Sequence, residues 1–207
     1  MYLREGLKVN AEGHLVIGGC DAVELARQFG TPLYVYDEDY IVERCAGFTQ
    51  ALAQYAPGGA AAYAGKAFLT TAMAKLMAKC GMWLDCVSLG ELHVAKKAGF
   101  PAERIILHGS NKTDAELEAA LDMGVGRVAL DSVEEIGRLA NFSRAAGARQ
   151  RVFLRVNPGV DAHTHSYIQT ARVDSKFGVG FDEALDALRA ILAEPALELS
   201  GIHVHLG

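Results

Sequence analysis

Lys66 closes the small-residue run Ala60-Ala61-Ala62-Tyr63-Ala64-Gly65 and precedes a helical stretch. The run reads as a buried strand, so the amine falls at a strand end. A lysine partly desolvated there can lose its proton and attack a carbonyl carbon. Five later strand-like runs also finish in polar groups: Asp85 and Ser88; His108, Ser110 and Asn111; Asp131 and Ser132; Arg155 and Asn157; and His203 and His205. Period two puts His203 with His205 on one face of their strand, and Arg155 with Asn157 on one face of theirs. An amine gathered with imidazole, carboxylate and guanidinium groups suits Schiff-base chemistry, for which pyridoxal phosphate is the natural carbonyl partner. A flat imidazole such as His205 can stack on the pyridine ring, and Asp85 or Glu91 can hydrogen-bond its periphery. Glu91 lies one turn into a helix, where a carboxylate also serves simply as a cap. Ser88, Asn111 and Ser132 are helix-cap candidates in the same way.

The elements that must position these groups repeat. Strand-like runs fall at 33–36, 61–66, 84–88, 104–109, 127–132, 152–158 and 201–207. Amphipathic stretches of helical period lie between them, at 41–56, 70–79, 90–98, 114–123, 133–146 and 182–192. From the Lys66 strand to the strand at 152, successive strands start roughly 20–25 residues apart, the length of a short βα unit. Such alternation implies a parallel sheet, and a barrel is favoured over an open dinucleotide-binding sheet because no Gly-rich fingerprint follows the first strand. Gly65-Lys66 is not a P-loop, since Ala60 stands where its first Gly belongs and Ala67 where Ser or Thr is required. The expected fold is therefore an α/β (β/α)8 TIM-type barrel, here incomplete with about six barrel strands. The chain stops on a strand residue, Gly207, so it reads as the N-terminal part of a longer protein. Isolated, it is expected to aggregate or to be poorly stable, because its strand edges are unpaired. Residues 1–33 look different: a small hairpin, then a helix from Asp21 as N-cap to Gly30 as stop.

Composition narrows the classes. The 207 residues carry a formal net charge of −5 with no basic stripe, which argues against nucleic acid. No apolar run approaches the ~20 residues of a membrane span, and no signal core follows the N-terminal charges, so a cytoplasmic protein is expected. The four cysteines, Cys20, Cys45, Cys80 and Cys86, contain no CxxC pair and are expected to be buried free thiols.

Several segments together resemble a known family. They are Tyr63-Ala64-Gly65-Lys66-Ala67, Asp85-Cys86-Val87-Ser88-Leu89-Gly90-Glu91-Leu92, Leu107-His108-Gly109 and Leu154-Arg155-Val156-Asn157-Pro158-Gly159. They look like the alanine-racemase-type (fold-type III) pyridoxal-phosphate decarboxylases. The run 160–170, Asp174-Ser175-Lys176-Phe177-Gly178 and the ending Gly201-Ile202-His203-Val204-His205-Leu206-Gly207 resemble the diaminopimelate decarboxylases in particular. The resemblance implies that Lys66 holds pyridoxal phosphate as a Schiff base and that His205 stacks on its ring. It implies that Asp85, Glu91 and Arg155 support the cofactor and its hydrogen bonds, and that Lys176 lies near a homodimer interface. It assigns residues 1–33 to a separate β-domain and 34–207 to a partial cofactor-binding barrel. The implied reaction is decarboxylation of meso-2,6-diaminopimelate to L-lysine. The family's phosphate loop, its Glu-Pro-Gly-Arg segment and its Cys and Tyr motifs would lie beyond Gly207, so the chain alone is expected to be inactive.

Three other readings stay open beside it. Ornithine, arginine or carboxynorspermidine could be the substrate of a related decarboxylase. A barrel carrying pyridoxal phosphate without catalysis would also use the lysine. His203-Val204-His205 resembles the metal pair of barrel amidohydrolases, with Lys66 as a bridging ligand, and Asp161, His163 and His165 form a second candidate cluster; against a metal, that pair belongs on a first strand and here falls on the sixth.

Overall fold

In a computed structural model, which describes residues 7–159 and 177–206, the chain divides into two compact units, Met1–Ala61 and Ala62–Gly207. In the first unit, β1 (Leu7–Val9), β2 (Leu15–Ile17) and β3 (Cys20–Asp21) form an antiparallel sheet in that order. Asp21 closes it and starts α1 (Ala22–Phe29) at once, its carboxylate accepting the Val23 and Glu24 N–H groups. The helix stops at Gly30, as its sequence predicts. α2 (Glu38–Tyr55) follows, capped by Asp37. Residues 33–36 are not a strand. Leu33, Tyr34 and Tyr36 are exposed there, and a four-residue apolar run cannot distinguish a strand from an extended connector.

The second unit is the repeating one. Its elements are β4 (Ala62–Ala64), α3 (Thr71–Lys79), β5 (Trp83–Cys86), α4 (Leu89–Ala98), β6 (Ile105–Leu107), α5 (Asp114–Met123), β7 (Arg127–Leu130), α6 (Val133–Ala145), β8 (Gln150–Asn157), β9 (Val179–Gly180), α7 (Phe181–Ala193) and β10 (Leu197–His203). The main sheet runs β4-β5-β6-β7-β8-β10, all parallel, with β9 paired to the end of β8. Spatial order therefore follows chain order without reversal. Helices then fall on one side of the sheet, as in a barrel, whereas a doubly wound sheet needs a switch point. These are the six barrel strands the sequence predicts; the two-residue β9 is too short to leave a periodic signal.

Alternation along the strands separates two faces. Leu84, Cys86, Ile105, Leu107, Val128, Leu130, Val152 and Leu154 are fully buried toward the helices, against a layer that includes Leu92, Leu117, Leu139 and Ile191. Their neighbours in sequence, Trp83, Asp85, His108, Arg127, Asp131, Phe153 and Arg155, occupy the other face. Low on that face Arg127 lies over the Trp83 ring at 4.5 Å and the Phe153 ring at 5.5 Å. The polar groups gather above it, at the C-terminal strand ends.

Strand β10 reaches this face through a bulge. Leu199 pairs with Val152 but Gly201 pairs with Phe153, so two steps of β10 match one step of β8. Leu199 therefore faces the helices, whereas Gly201, His203 and His205 face the polar side. Gly201 takes φ +154, and a Cβ there would touch the Phe153 ring at 3.5 Å.

Candidate active site

A pocket of about 390 Å³ opens at the C-terminal strand ends, with Lys66, His108, Lys112, Arg155, Phe177 and His205 among its lining residues. Lys66 lies just past β4, in a single 3-10 turn, Gly65–Ala67, rather than on the strand. That turn packs tightly: a Cβ on Gly65 would stand 3.0 Å from the Asp85 carbonyl oxygen and 3.2 Å from Glu91 Oε2.

His108 and His205 line the pocket, and His203 packs against both of them. The ring centroids of His108, His203 and His205 are 4.7–5.0 Å apart. Burial, then the neighbouring His108 and His205, push His203 down to about 4. Burial, then Arg155, lower His205 below its ordinary value. Both rings are therefore neutral at neutral pH. One nitrogen from each of the three rings lies within 4.8 Å of the others, a grouping compact enough to reach a metal ion. The Arg155 guanidinium, 3.4 Å from His108 Nε2, adds a permanent positive charge that opposes a divalent cation there. Flat, neutral ring faces suit a planar conjugated group better.

Behind the wall runs a buried charge network. Arg155 Nη1 donates to Asp131 Oδ1 at 2.8 Å, and the Gly178 N–H reaches Asp131 Oδ2 at 3.3 Å. The Arg155 guanidinium also covers the Phe177 ring at 4.8 Å. His108 Nδ1 faces Asp85 Oδ2 at 3.4 Å without hydrogen-bond alignment. Lys112 Nζ lies 3.0 Å from Glu135 Oε2 and donates to the Gly109 carbonyl at 2.7 Å.

Of the residues the sequence singles out, Lys66, His108, Ser110, Asn111, Arg155 and His205 line the pocket, and His203 does not. Asp85 lies behind His108 and Glu91 behind Gly65, and neither is among the lining residues. Glu91 Oε2 accepts the Val87 N–H at 2.6 Å while Ser88 caps α4 through the Glu91 N–H. Asn111 lines the pocket, and the cap of α5 is Thr113, in a full capping box with Glu116. Ser132 occupies the N-cap position of α6 but makes no capping bond. Glu135 reaches past it to the Asp131 N–H at 2.8 Å. The run 160–176, with His163, His165 and Lys176, and Gly207 lie outside the described residues.

All four cysteines are free, but Cys20 is exposed and Cys80 only half-buried, so burial holds for Cys45 and Cys86 alone. Burial, then Glu91 and Asp85, push the Cys86 thiol up to about 12. Sequence reasoning misses Lys112 and Glu135. The readable signal for Glu135 is the pattern Ser/Thr-x-x-Glu, which occurs at Ser88–Glu91, Thr113–Glu116 and Ser132–Glu135.

Residues 38–207 match the family described as pyridoxal-dependent decarboxylase, pyridoxal binding domain. The whole chain is 44% identical to the diaminopimelate decarboxylase of Bacillus methanolicus and covers 48% of it. The crystal structure of diaminopimelate decarboxylase from M. jannaschii aligns with a TM-score of 0.87 at 30% identity, over 98% of this chain and 48% of that one. The same enzyme in complex with L-lysine aligns at 0.85 and 31% identity, again over 98% and 48%. The chain thus spans about half the length of the relatives it matches.

Proposed function

The chain belongs to the pyridoxal-dependent decarboxylases, and on that footing we propose that it carries the lysine-bearing half of an amino-acid decarboxylase site. The substrate proposed is meso-2,6-diaminopimelate and the products are L-lysine and carbon dioxide. The reading rests above all on the convergence of Lys66, Arg155 and His205 on one pocket, in a chain matched to the pyridoxal binding domain from residue 38 onward.

The residues present fit pyridoxal phosphate. Behind the pocket lining, His203 Nδ1 is buried with no hydrogen-bond partner among the described residues, a polar atom held in reserve beside the imidazoles that do line it. His205 offers an uncharged ring face, and Lys66 offers an amine to the cofactor's aldehyde. Arg155, fixed by Asp131, presents a cation whose direction cannot drift. Asp85 places a carboxylate beside His108, and Glu91 fixes the start of α4 beside the lysine turn. When bound, the cofactor supplies the conjugated ring that takes the electron pair released as carbon dioxide leaves. The neutral state of His203 and His205 keeps the pocket from repelling the protonated amine of a substrate.

A homodimer sharing the site between subunits, a cytoplasmic location and residues 1–33 as part of a separate β-domain belong to the same proposal. Among the described residues no helix is long and apolar enough to cross a membrane.

The test is covalent capture. The chain is mixed with pyridoxal phosphate, reduced with borohydride, and the labelled peptide mapped by mass. A pyridoxyl group concentrated on Lys66 is expected; labelling spread evenly over the surface lysines would sink the reading. Decarboxylation by the whole protein is then compared for meso-diaminopimelate, ornithine and arginine, with the first expected to be preferred.

A further inference from the structure

We propose that Lys112 is a positioning residue for Arg155, acting through Glu135 and Asp131 from behind the pocket wall. The inference rests on the functional reading above only where cofactor binding is measured. Lys112 is 2% exposed and Glu135 4%, an uncommon depth for either charge. Burial lowers the Lys112 amine, and Glu135 acts to raise it again. Asp131 and Arg155 are each 4% exposed and pair at 2.8 Å. The four side chains form one connected set: Lys112 to the Glu135 carboxylate, Glu135 to the Asp131 N–H, and Asp131 to Arg155.

The set contains two cations and two anions, so its buried charge cancels. Removing the ammonium alone leaves Glu135 and Asp131 competing for one guanidinium. Among the described residues Glu135 Oε1 already lacks a hydrogen-bond partner, which sharpens that competition. Such an excess is relieved either by turning Arg155 inward, away from the pocket, or by taking up a proton. The charged groups facing Lys112 are Glu135 from α6, Asp131 from the end of β7 and, more distantly, Glu116 from α5. Arg138 contacts only its backbone carbonyl.

The sequence places Lys112 in the linker between β6 and α5, where a lysine would ordinarily be a solvated surface charge. The fold instead threads its stem inward and terminates it on the Gly109 carbonyl and Glu135. Lys112 thus lines the pocket while its charge is spent behind it.

The experiment follows the Arg155 side-chain nitrogen signals by NMR in the full chain, without cofactor, across the neutral pH range. Three variants are compared: K112M, E135Q and K112M/E135Q. The wild-type pH profile is the reference, because the His108 imidazole 3.4 Å from Arg155 and the neighbouring His203 and His205 are common to every variant. K112M is expected to add a titration on the acid side, as the stranded carboxylates take a proton. E135Q is expected to add one on the alkaline side, as the stranded ammonium loses one. The double variant, with charge balance restored, is expected to follow the wild-type profile again. If K112M does not fold, E135Q against the double variant carries the same test. A role for Lys112 in packing alone would lower stability in all three variants without this pattern. Wild-type profiles in both single variants, or a double variant that titrates like a single one, would overturn the proposal. As a second readout, K112M is expected to weaken pyridoxal phosphate binding between about twofold and thirtyfold, with recovery in K112M/E135Q. If the nitrogen signals behave as expected while no variant binds the cofactor, the positioning role stands and the functional reading falls.

Discussion

His203 stands opposite Arg155 in the parallel register of β8 and β10, with one extra residue of β10 taken up between Leu199 and Gly201. Before the bulge, Leu197 and Leu199 face the helices; after it, the odd-numbered residues face the pocket. Sequence parity alone puts Leu197 and His203 on the same side. The bulge separates an apolar anchor from a functional wall within seven residues.

Gly201 is the hinge of that device. An alanine there must adopt φ +154 and meet the Phe153 ring. G201A is expected to lose about 1–3 kcal/mol of stability in urea unfolding. Deleting Ser200 has a different consequence: it removes the extra residue, so β10 pairs regularly while His203 stays opposite Arg155 and still faces the pocket. That deletion is expected to retain pyridoxyl labelling of Lys66, whereas inserting one alanine between Ile202 and His203 turns both imidazoles toward the helices and is expected to abolish it.

Two further glycines predict opposite signs. A Cβ on Gly126 would lie 2.0 Å from the Glu103 carbonyl oxygen, a backbone atom that cannot step aside. G126A is expected to cost about 3 kcal/mol, the upper end of overpacking penalties. Gly137 lies inside α6 with nothing within 4 Å of its would-be Cβ. G137A is expected to stabilise the chain by about 0.5–1 kcal/mol, the helix-propensity difference. Urea midpoints of the two variants should therefore move in opposite directions.

The imidazole wall sets a pH dependence. His203 titrates at about 4 in the folded chain, below the ordinary value of 6.5, because burial and its cationic surroundings favour the neutral ring. Between those values the unfolded chain binds more protons than the folded one, so stability falls as pH drops from 6.5 toward 4. His205 is shifted in the same direction and adds to the loss. H203Q is expected to shrink the drop in urea midpoint between neutral pH and the acid end of that window. An unchanged drop would place the acid sensitivity elsewhere.

Thiol reactivity should separate the cysteines. Cys20 is exposed, whereas Cys86 is buried with its thiol pushed up to about 12. A thiolate-selective reagent is expected to modify Cys20 first and to leave Cys86 untouched until urea unfolds the chain. Rapid native-state labelling of Cys86 would mean that the β5 layer opens far more readily than its packing implies.

Strands and helices of the second unit were legible because apolar alternation and helix caps repeat at nearly fixed spacing. Thr113, not the expected Asn111, caps α5 in a full box with Glu116, yet the same Ser/Thr-x-x-Glu pattern at Ser88 and Ser132 leads to glutamates that reach one residue further back. Pattern alone cannot tell these outcomes apart, since they differ only in where the preceding strand ends. Lys66 reads as a strand residue because Ala and Gly carry no periodic signal that would mark the 3-10 turn. Lys112 was illegible for a stronger reason: its partner lies on another βα unit, and only folding brings the two charges together. The bulge at Ser200 left no mark beyond Gly201, a residue compatible with many turns.

Glu91 carries a consequence for Lys66 that neither residue shows by itself. Its carboxylate fastens the start of α4 to the end of β5, and the same oxygen occupies the space a side chain on Gly65 would need. The datum for the lysine is therefore the neighbouring unit and not its own three-residue strand. A tolerance error in β4 is corrected against α4 before it reaches the amine, so the reactive group inherits the rigidity of a helix it does not belong to.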